Sequence, residues 1–328
     1  MLLARALLVT LALGFLAAPL AADAQPPKKV GRIGVLISAS TLWAQPLLEA
    51  FRQELRTLGY VEGQNLVIEQ RSAEGQNERL PALAAELVQL KVEVLVAGGP
   101  SASSAAQQAT STIPIVVSTQ DPVEQGMIAG FADPRRNITG VSIRSGELLG
   151  KQLELLKEAV PQLARVAVLA NPSMPGLSFR THSLTETARV LGLHLHVLKV
   201  GRPDELDQAF AAMIHAGAKA FLVVPEPTVI EGLHSRIVVF AAQHRLPAMY
   251  YWKFQVEAGG LMSYGPSLPG IYRRFAYFVD RLLKGAKPAD LPMETPLKYE
   301  FVVNLRVAKA LGLTLPPHLL VFANEVIQ

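Results

Sequence analysis

The sequence predicts an α/β protein of two lobes, each a parallel sheet held between helices. Three observations predict it. Short, continuous, β-branched apolar runs alternate with longer segments of helical period, and unbroken apolar strands are those buried on both faces of a parallel sheet. The alternation restarts in the second half of the chain with the same internal landmarks. The 328-residue chain, less an N-terminal leader, leaves about 300 residues, more than a single core usually carries.

The leader is "MLLARALLVTLALGFLAAPLAADAQPPKK". One early Arg5, an apolar run to Leu20 and the small-x-small triplet Ala22-Asp23-Ala24 read as a secretory signal, residues 1–24, cleaved near Ala24 to leave Gln25 first. The run is shorter than the roughly 20 residues a spanning helix prefers. No later apolar run is long enough to cross a bilayer, so a periplasmic protein is expected.

In the first half, "VGRIGVLIS" (30–38), "LVIEQRSA" (66–73), "VEVLVAGG" (92–99), "IPIVVST" (113–119) and "ITGVSIR" (138–144) read as strands. Helices are expected between them at 45–59 and 77–90. In the second half, "RVAVLANP" (165–172), "HLHVLKV" (194–200), "AFLVVPEP" (220–227) and "PAMYYW" (247–252) are strands, with helices near 176–191, 203–215 and 229–244. "LRTLGYVEGQNLVIE" parallels "ARVLGLHLHVLKV", and "STIPIVVS" parallels "HRLPAMYY". Each half thus carries a helix ending at Leu-Gly, a strand after it, and a proline opening the fourth strand.

Composition excludes several functions. With no cysteine there is no disulfide framework, no thiolate metal site and no lipid-modified cysteine. A formal net charge of +4, with basic residues scattered rather than striped, argues with export against nucleic acid as a partner.

Parallel sheets present ligands with the C-terminal ends of their strands. In the first half those ends carry Ser38, Ser40, Thr41 and Trp43, then Gly98, Gly99 and Ser101, then Ser118, Thr119 and Asp121. The second half offers Asn171 and Ser173, Glu226 and Thr228, then Tyr250, Tyr251 and Trp252. The glycine pair lacks both the Gly-Lys-Ser/Thr ending of a Walker loop and the G-x-G-x-x-G fingerprint. Its helix start and serines suit a carboxylate as well as a phosphate. Capping is the other role open to "SASS" and is the expected one for Asp121. Glu226 is placed to meet an ammonium group, and Trp43, Tyr250, Tyr251 and Trp252 stand near the rims where they can stack on a flat apolar ligand. Strand alternation puts Tyr250 and Trp252 on one face and Tyr251 on the other.

No catalytic residue, metal or cofactor is expected. His194 and His196 point the same way from a strand, but no third ligand stands near them in sequence. His182 and His215 lie on helices without spaced partners. There is no G-x-S-x-G elbow, and Ser101 has no recognisable His/Asp partner.

"LGYVEGQNLVIEQRSAEGQNERLPALAAELV", "ATSTIPIVV…DPV", "NITGVS", "GGLMSYG", "GAKPADLP" and "NLRVAKALGLTLPPHLLVFANEVI" resemble, in order, the ABC-transporter substrate-binding family that includes tryptophan- and tyrosine-type binding proteins. The resemblance runs from Val30 to the C-terminus. It implies a type I periplasmic-binding-protein fold, two Rossmann-like lobes joined by three crossings and closing on a small ligand. The crossings would lie near 140–145, 259–265 and 298–304. Lobe one is then 30–143 with 264–296, lobe two 144–263, and 297–328 a hinge strand and tail. By the pattern of related amino-acid-binding proteins, Ser101, Ser118 and Thr119 would hold an α-carboxylate. The resemblance further implies a monomer working with an ABC permease and ATPase encoded separately. The expected ligand is an amino acid, aromatic or branched, with another small carboxylate or a purine-like compound as alternatives. A ligand-binding sensor for a membrane receptor and an exported enzyme on the same fold are the competing functions.

Overall fold

The computed structural model describes residues 30–120, 122–123, 125–130, 137–143, 145–174, 176–226 and 232–328. The leader, Asp121 and Thr228 lie outside the described residues. All elements below belong to one unit, Gly31–Gln328.

The first sheet is built from β1 (Gly31–Ile37), β2 (Leu66–Ser72), β3 (Val94–Gly98), β4 (Ile115–Thr119) and β5 (Ile138–Ser142). Their order is β2-β1-β3-β4-β5 and every pairing is parallel, as the unbroken apolar runs predict. Helices α1 (Thr41–Thr57), α2 (Leu80–Gln89) and α3 (Pro100–Ala109) connect them. Helix α1 starts four residues before the expected Gln45, because the Ser40 Oγ accepts from the Trp43 amide at 3.3 Å and caps it.

Strand alternation divides the core. Ile33, Val35, Val94 and Val96 pack to one side with Phe51 and Phe275, while Leu36, Leu95 and Ala97 pack to the other with Leu83 and Leu87. Both faces are apolar, so the sheet has no wet side.

The second sheet is built from β6 (Arg165–Ala170), β7 (His194–Lys199), β8 (Ala220–Val223), β9 (Ala248–Tyr250), β10 (Met262–Pro266), β11 (Tyr299–Asn304) and β12 (Glu325–Ile327), in the order β12-β11-β10-β9-β8-β6-β7. Helices α4 (Ser145–Ala159), α5 (Leu177–Val190), α6 (Leu206–His215), α7 (His234–Gln243) and α8 (Lys253–Glu257) belong to this half. Val166 and Val168 face one layer, and Ala167 and Leu169 the other. Pairing is parallel from β7 through β10, but β10 and β11 are antiparallel.

The route of the chain explains that pair. After β10 it forms α9 (Leu268–Leu283), which packs on α1 and on β3, β4 and β5 of the first sheet. It then returns along β11 in the opposite sense. Ile271, Phe275, Phe278 and Val279 of α9 are buried in the first core. Burying each such side chain contributes about 1.5–3 kcal/mol, so α9 is a structural part of that core and not a linker. Helices α10 (Leu305–Ala310) and α11 (Pro317–Phe322) lead to β12, which joins the second sheet beside β11.

Candidate functional site

The C-terminal ends of β1, β3 and β4 meet the turn after β9 around a cavity of about 40 Å³. Ser38, Gly98, Gly99, Ser118 and Gln120 form its polar wall, and Trp43, Trp252, Leu268 and Tyr272 close it. By the ~10–15 Å³ that one water needs, this is space for about three waters.

Each floor residue is placed by its strand. Ser38 follows β1, is 1% exposed, and its Oγ has no hydrogen-bond partner among the described residues. Gly99 takes φ 89°, a left-handed value that a side chain would resist, and is the N-cap of α3. Its amide donates to the Ser118 carbonyl at 2.9 Å and to the Ser118 Oγ at 3.2 Å. The cap position is therefore Gly99, and Ser101 falls at the second helical residue, half-buried beyond Pro100. Gly98 admits the approach of α9: a Cβ there would stand 2.7 Å from the Tyr272 Oη.

Thr119 is fully buried, and its Oγ1 donates to the Gln125 Oε1 at 2.7 Å. Gln120, beside it, is 3% exposed; its Nε2 donates to the Pro225 carbonyl at 3.4 Å, and its Oε1 has no partner among the described residues. Ser40 spends its hydroxyl on the helix cap. Trp43 stands edge-on to Phe254 of the second half, ring centroids 6.0 Å apart.

From the second half, Glu226 is 2% exposed and directly follows the Pro225 carbonyl that Gln120 holds. Asn171, also 2% exposed, accepts from the Ser173 amide at 2.9 Å and shapes its own turn. Tyr250 is not brought to the cavity. Its ring packs in the second core against Phe221, centroids 6.2 Å apart, and burial pushes its hydroxyl well above the ordinary phenol pKa. The aromatic that reaches the cavity is Trp252, because β9 ends at Tyr250 and the strand alternation stops with it.

A second, larger space of about 630 Å³ adjoins this one. Leu42, Pro46, Phe254, Lys253, Arg273 and Glu300 line it, and it shares Trp43, Trp252 and Leu268 with the inner cavity. The two indoles thus stand between the inner and outer spaces.

Reading the sequence alone missed Gln120 and Tyr272. Gln120 had a usable signal, its place one residue past Thr119 at a strand end. Tyr272 had none, since it looks like any other residue of an amphipathic helix. Among the described residues no cluster of His, Cys, Asp or Glu could hold a metal, and no helix is long and apolar enough to cross a membrane.

Two α/β lobes that meet at their strand ends around a buried polar wall define the type I periplasmic binding proteins, a class of solute-binding proteins. Residues 33–327 match the family described as ABC transporter substrate binding protein, and the chain belongs to that family. It is 25% identical over 291 residues to a tyrosine-binding protein of Clostridioides difficile (strain R20291), across 87% of this chain and 82% of that one. Its fold is similar to an ABC domain from Streptococcus pneumoniae in complex with L-Trp, with TM-score 0.83, 24% identity, and 90% and 99% of the two chains covered. It is also similar to the ligand-free, open structure of a substrate-binding protein with adhesive properties from Clostridium difficile, with TM-score 0.65, 21% identity, and 91% and 99% covered.

Proposed function

We propose that this protein is the exported binding component of an ABC importer and encloses one aromatic amino acid between its lobes. The observation that carries this is the pair of indoles, Trp43 and Trp252, closing over the buried polar wall of Ser38, Ser118 and Gln120. Aromatic side chains offer a flat ligand offset or edge-to-face packing worth about 0.5–1.5 kcal/mol per pair beyond area burial. The buried Glu226 supplies a counter-charge for an ammonium group. The relatives named for tyrosine and for L-Trp support the same ligand class.

In this reading the leader is removed near Ala24 and the monomer works in the periplasm. The lobes are 30–143 with 264–296, and 144–263, while 297–328 is a hinge strand and tail whose β11 and β12 lie in the second sheet. No residue acts as a catalyst. A cavity of about 40 Å³ is too small for an indole or phenol side chain, so the lobes part to admit ligand. Ligand contacts to both lobes then favour the closed form, which a separately encoded permease and ATPase recognise.

A thermal-shift panel tests it. The protein is unfolded and refolded to strip carried-over ligand, then heated with amino acids, small organic acids and nucleobases. Ligand at 100 times its dissociation constant adds about 2.7 kcal/mol of stability, a readily measured rise in Tm. Aromatic amino acids should give the largest rise. A panel in which only a nucleobase, or nothing, raises the Tm overturns the reading.

A further inference from the structure

Among the described residues, no charged side chain lines the cavity at the strand ends, although its wall is polar. Two polar atoms of that wall are buried without a hydrogen-bond partner among the described residues, the Ser38 Oγ and the Gln120 Oε1. Their side chains are 1% and 3% exposed. A buried polar atom left unsatisfied carries its full desolvation penalty, so each calls for a group that an occupant brings.

The two atoms differ in what they can take. A hydroxyl donates or accepts, whereas a carboxamide oxygen only accepts. The Pro225 carbonyl, itself only an acceptor, faces the Gln120 Nε2 at 3.4 Å and so fixes which end of the carboxamide is nitrogen. The Oε1 is the end left for an occupant, which must offer it an N–H or O–H. The main chain of Gln120 is fixed too, because its carbonyl accepts from the Ser142 Oγ at 3.3 Å, at the end of β5. The start of α3 has the opposite character. Its N-cap Gly99 has no side-chain cap and lines the cavity with Pro100, and a helix start carries partial positive charge. A lone ion in this uncharged space would lack a counter-charge, but a zwitterionic head supplies its own.

We propose that Gln120 determines the specificity of the cavity for an ammonium-bearing head: its Oε1 accepts from the ligand's α-ammonium while its Nε2 holds Pro225 of the second lobe. One carboxamide thereby joins recognition of the ligand's head to closure of the lobes. This deepens the reading above and rests on it in taking the ligand to be an aromatic amino acid. Ser38 and the start of α3 face the carboxylate of the same head. Glu226 follows Pro225 but does not line the cavity, so the hydrogen bond to the ammonium falls to Gln120.

Calorimetric titration of the mature chain with two pairs of probes tests this: L-tryptophan with indole-3-propionate, and L-tyrosine with 3-(4-hydroxyphenyl)propionate, each acid lacking only the ammonium. In the pair it binds, wild type should prefer the amino acid by about 10- to 150-fold, the range for a hydrogen bond to a charged group. Gln120→Met, similar in size but without either polar end, should bring that preference close to parity. Its loss of the Pro225 bond weakens amino acid and acid alike and cancels in the ratio. Gln120→Glu keeps an acceptor on the cavity side, should retain the preference, and serves if Gln120→Met does not fold. Full preference in Gln120→Met refutes the proposal and leaves Gln120 a closure residue only, and loss of preference in Gln120→Glu refutes it as well. Equal wild-type binding of amino acid and acid refutes it and leaves a binder of small aromatic acids. Wild-type binding of none of the four overturns the reading above with it.

Discussion

The Nε2 of Gln120 in the first lobe donates to the Pro225 carbonyl of the second at 3.4 Å. This bond spans the cleft and exists only while the lobes are together. Gln120→Ala should therefore shift the protein toward its open form. A neutral hydrogen bond has a net worth of about 0.5–1.5 kcal/mol, so through this bond alone ligand affinity should fall roughly 2- to 12-fold. Small-angle scattering of the ligand-free variant should give a larger radius of gyration than wild type. An unchanged radius and affinity would show that the bond plays no part in closure.

The chain contains two tryptophans, and both line the cavity. Indole-selective fluorescence is then a report from the site with no background from elsewhere. Titration with L-tyrosine or L-phenylalanine should change the emission, and the signal should survive in Trp252→Phe and in Trp43→Phe at reduced amplitude. Trp43 is half-buried, so Trp43→Ala should cost affinity with little loss of Tm. Trp252 is 5% exposed, and Trp252→Ala should cost stability too, about 3–5 kcal/mol by the range for buried Trp→Ala changes. Saturating ligand that leaves the emission of both indoles untouched places the site elsewhere.

Gly98 and Tyr272 are matched in size. With 2.7 Å between a new Cβ and the Tyr272 Oη, Gly98→Ala must push the ring aside, an overpacking cost of about 1–3 kcal/mol. The double variant with Tyr272→Phe removes the clashing oxygen and should recover most of the lost Tm. Equal Tm values for the single and double variants would locate the cost elsewhere.

Tyr60 donates to the Asp280 Oδ1 at 3.1 Å, and its pKa is pushed up to about 12, by burial first and then by the Asp280 charge and this hydrogen bond. In the unfolded chain the phenol ionises near its ordinary value of about 10. The folded state holds the neutral form, so this contribution is complete below about pH 10 and is lost as pH rises toward 12. Chemical denaturation across that window should show wild type losing stability faster than Tyr60→Phe. Parallel pH profiles for the two proteins would remove the Tyr60–Asp280 pair as the cause.

Much of the architecture was legible from local pattern. Short β-branched and apolar runs between helical segments identified β1 to β9, with β4 found at Ile115–Thr119 inside the expected 113–119 and β1 at Gly31–Ile37 inside 30–38. Several candidate site residues were legible for the same reason, since strand ends on a parallel sheet are where side chains converge. Ser38, Trp43, Gly99 and Ser118 do line one cavity. The sequence by itself therefore determined the alternation of elements, the apolar faces of the first sheet and the polar character of its loops. All of these are properties of a period of 2 or 3.6 residues along the chain. Only the tertiary structure decided that Tyr250 turns into the second core while Trp252 reaches the cavity, and that Tyr272 closes over Gly98. It also decided that β11 runs against β10 after the excursion through α9. These depend on residues far apart in the chain. A local period states which face of an element is apolar, and the packing of the whole chain selects the partner that the face meets.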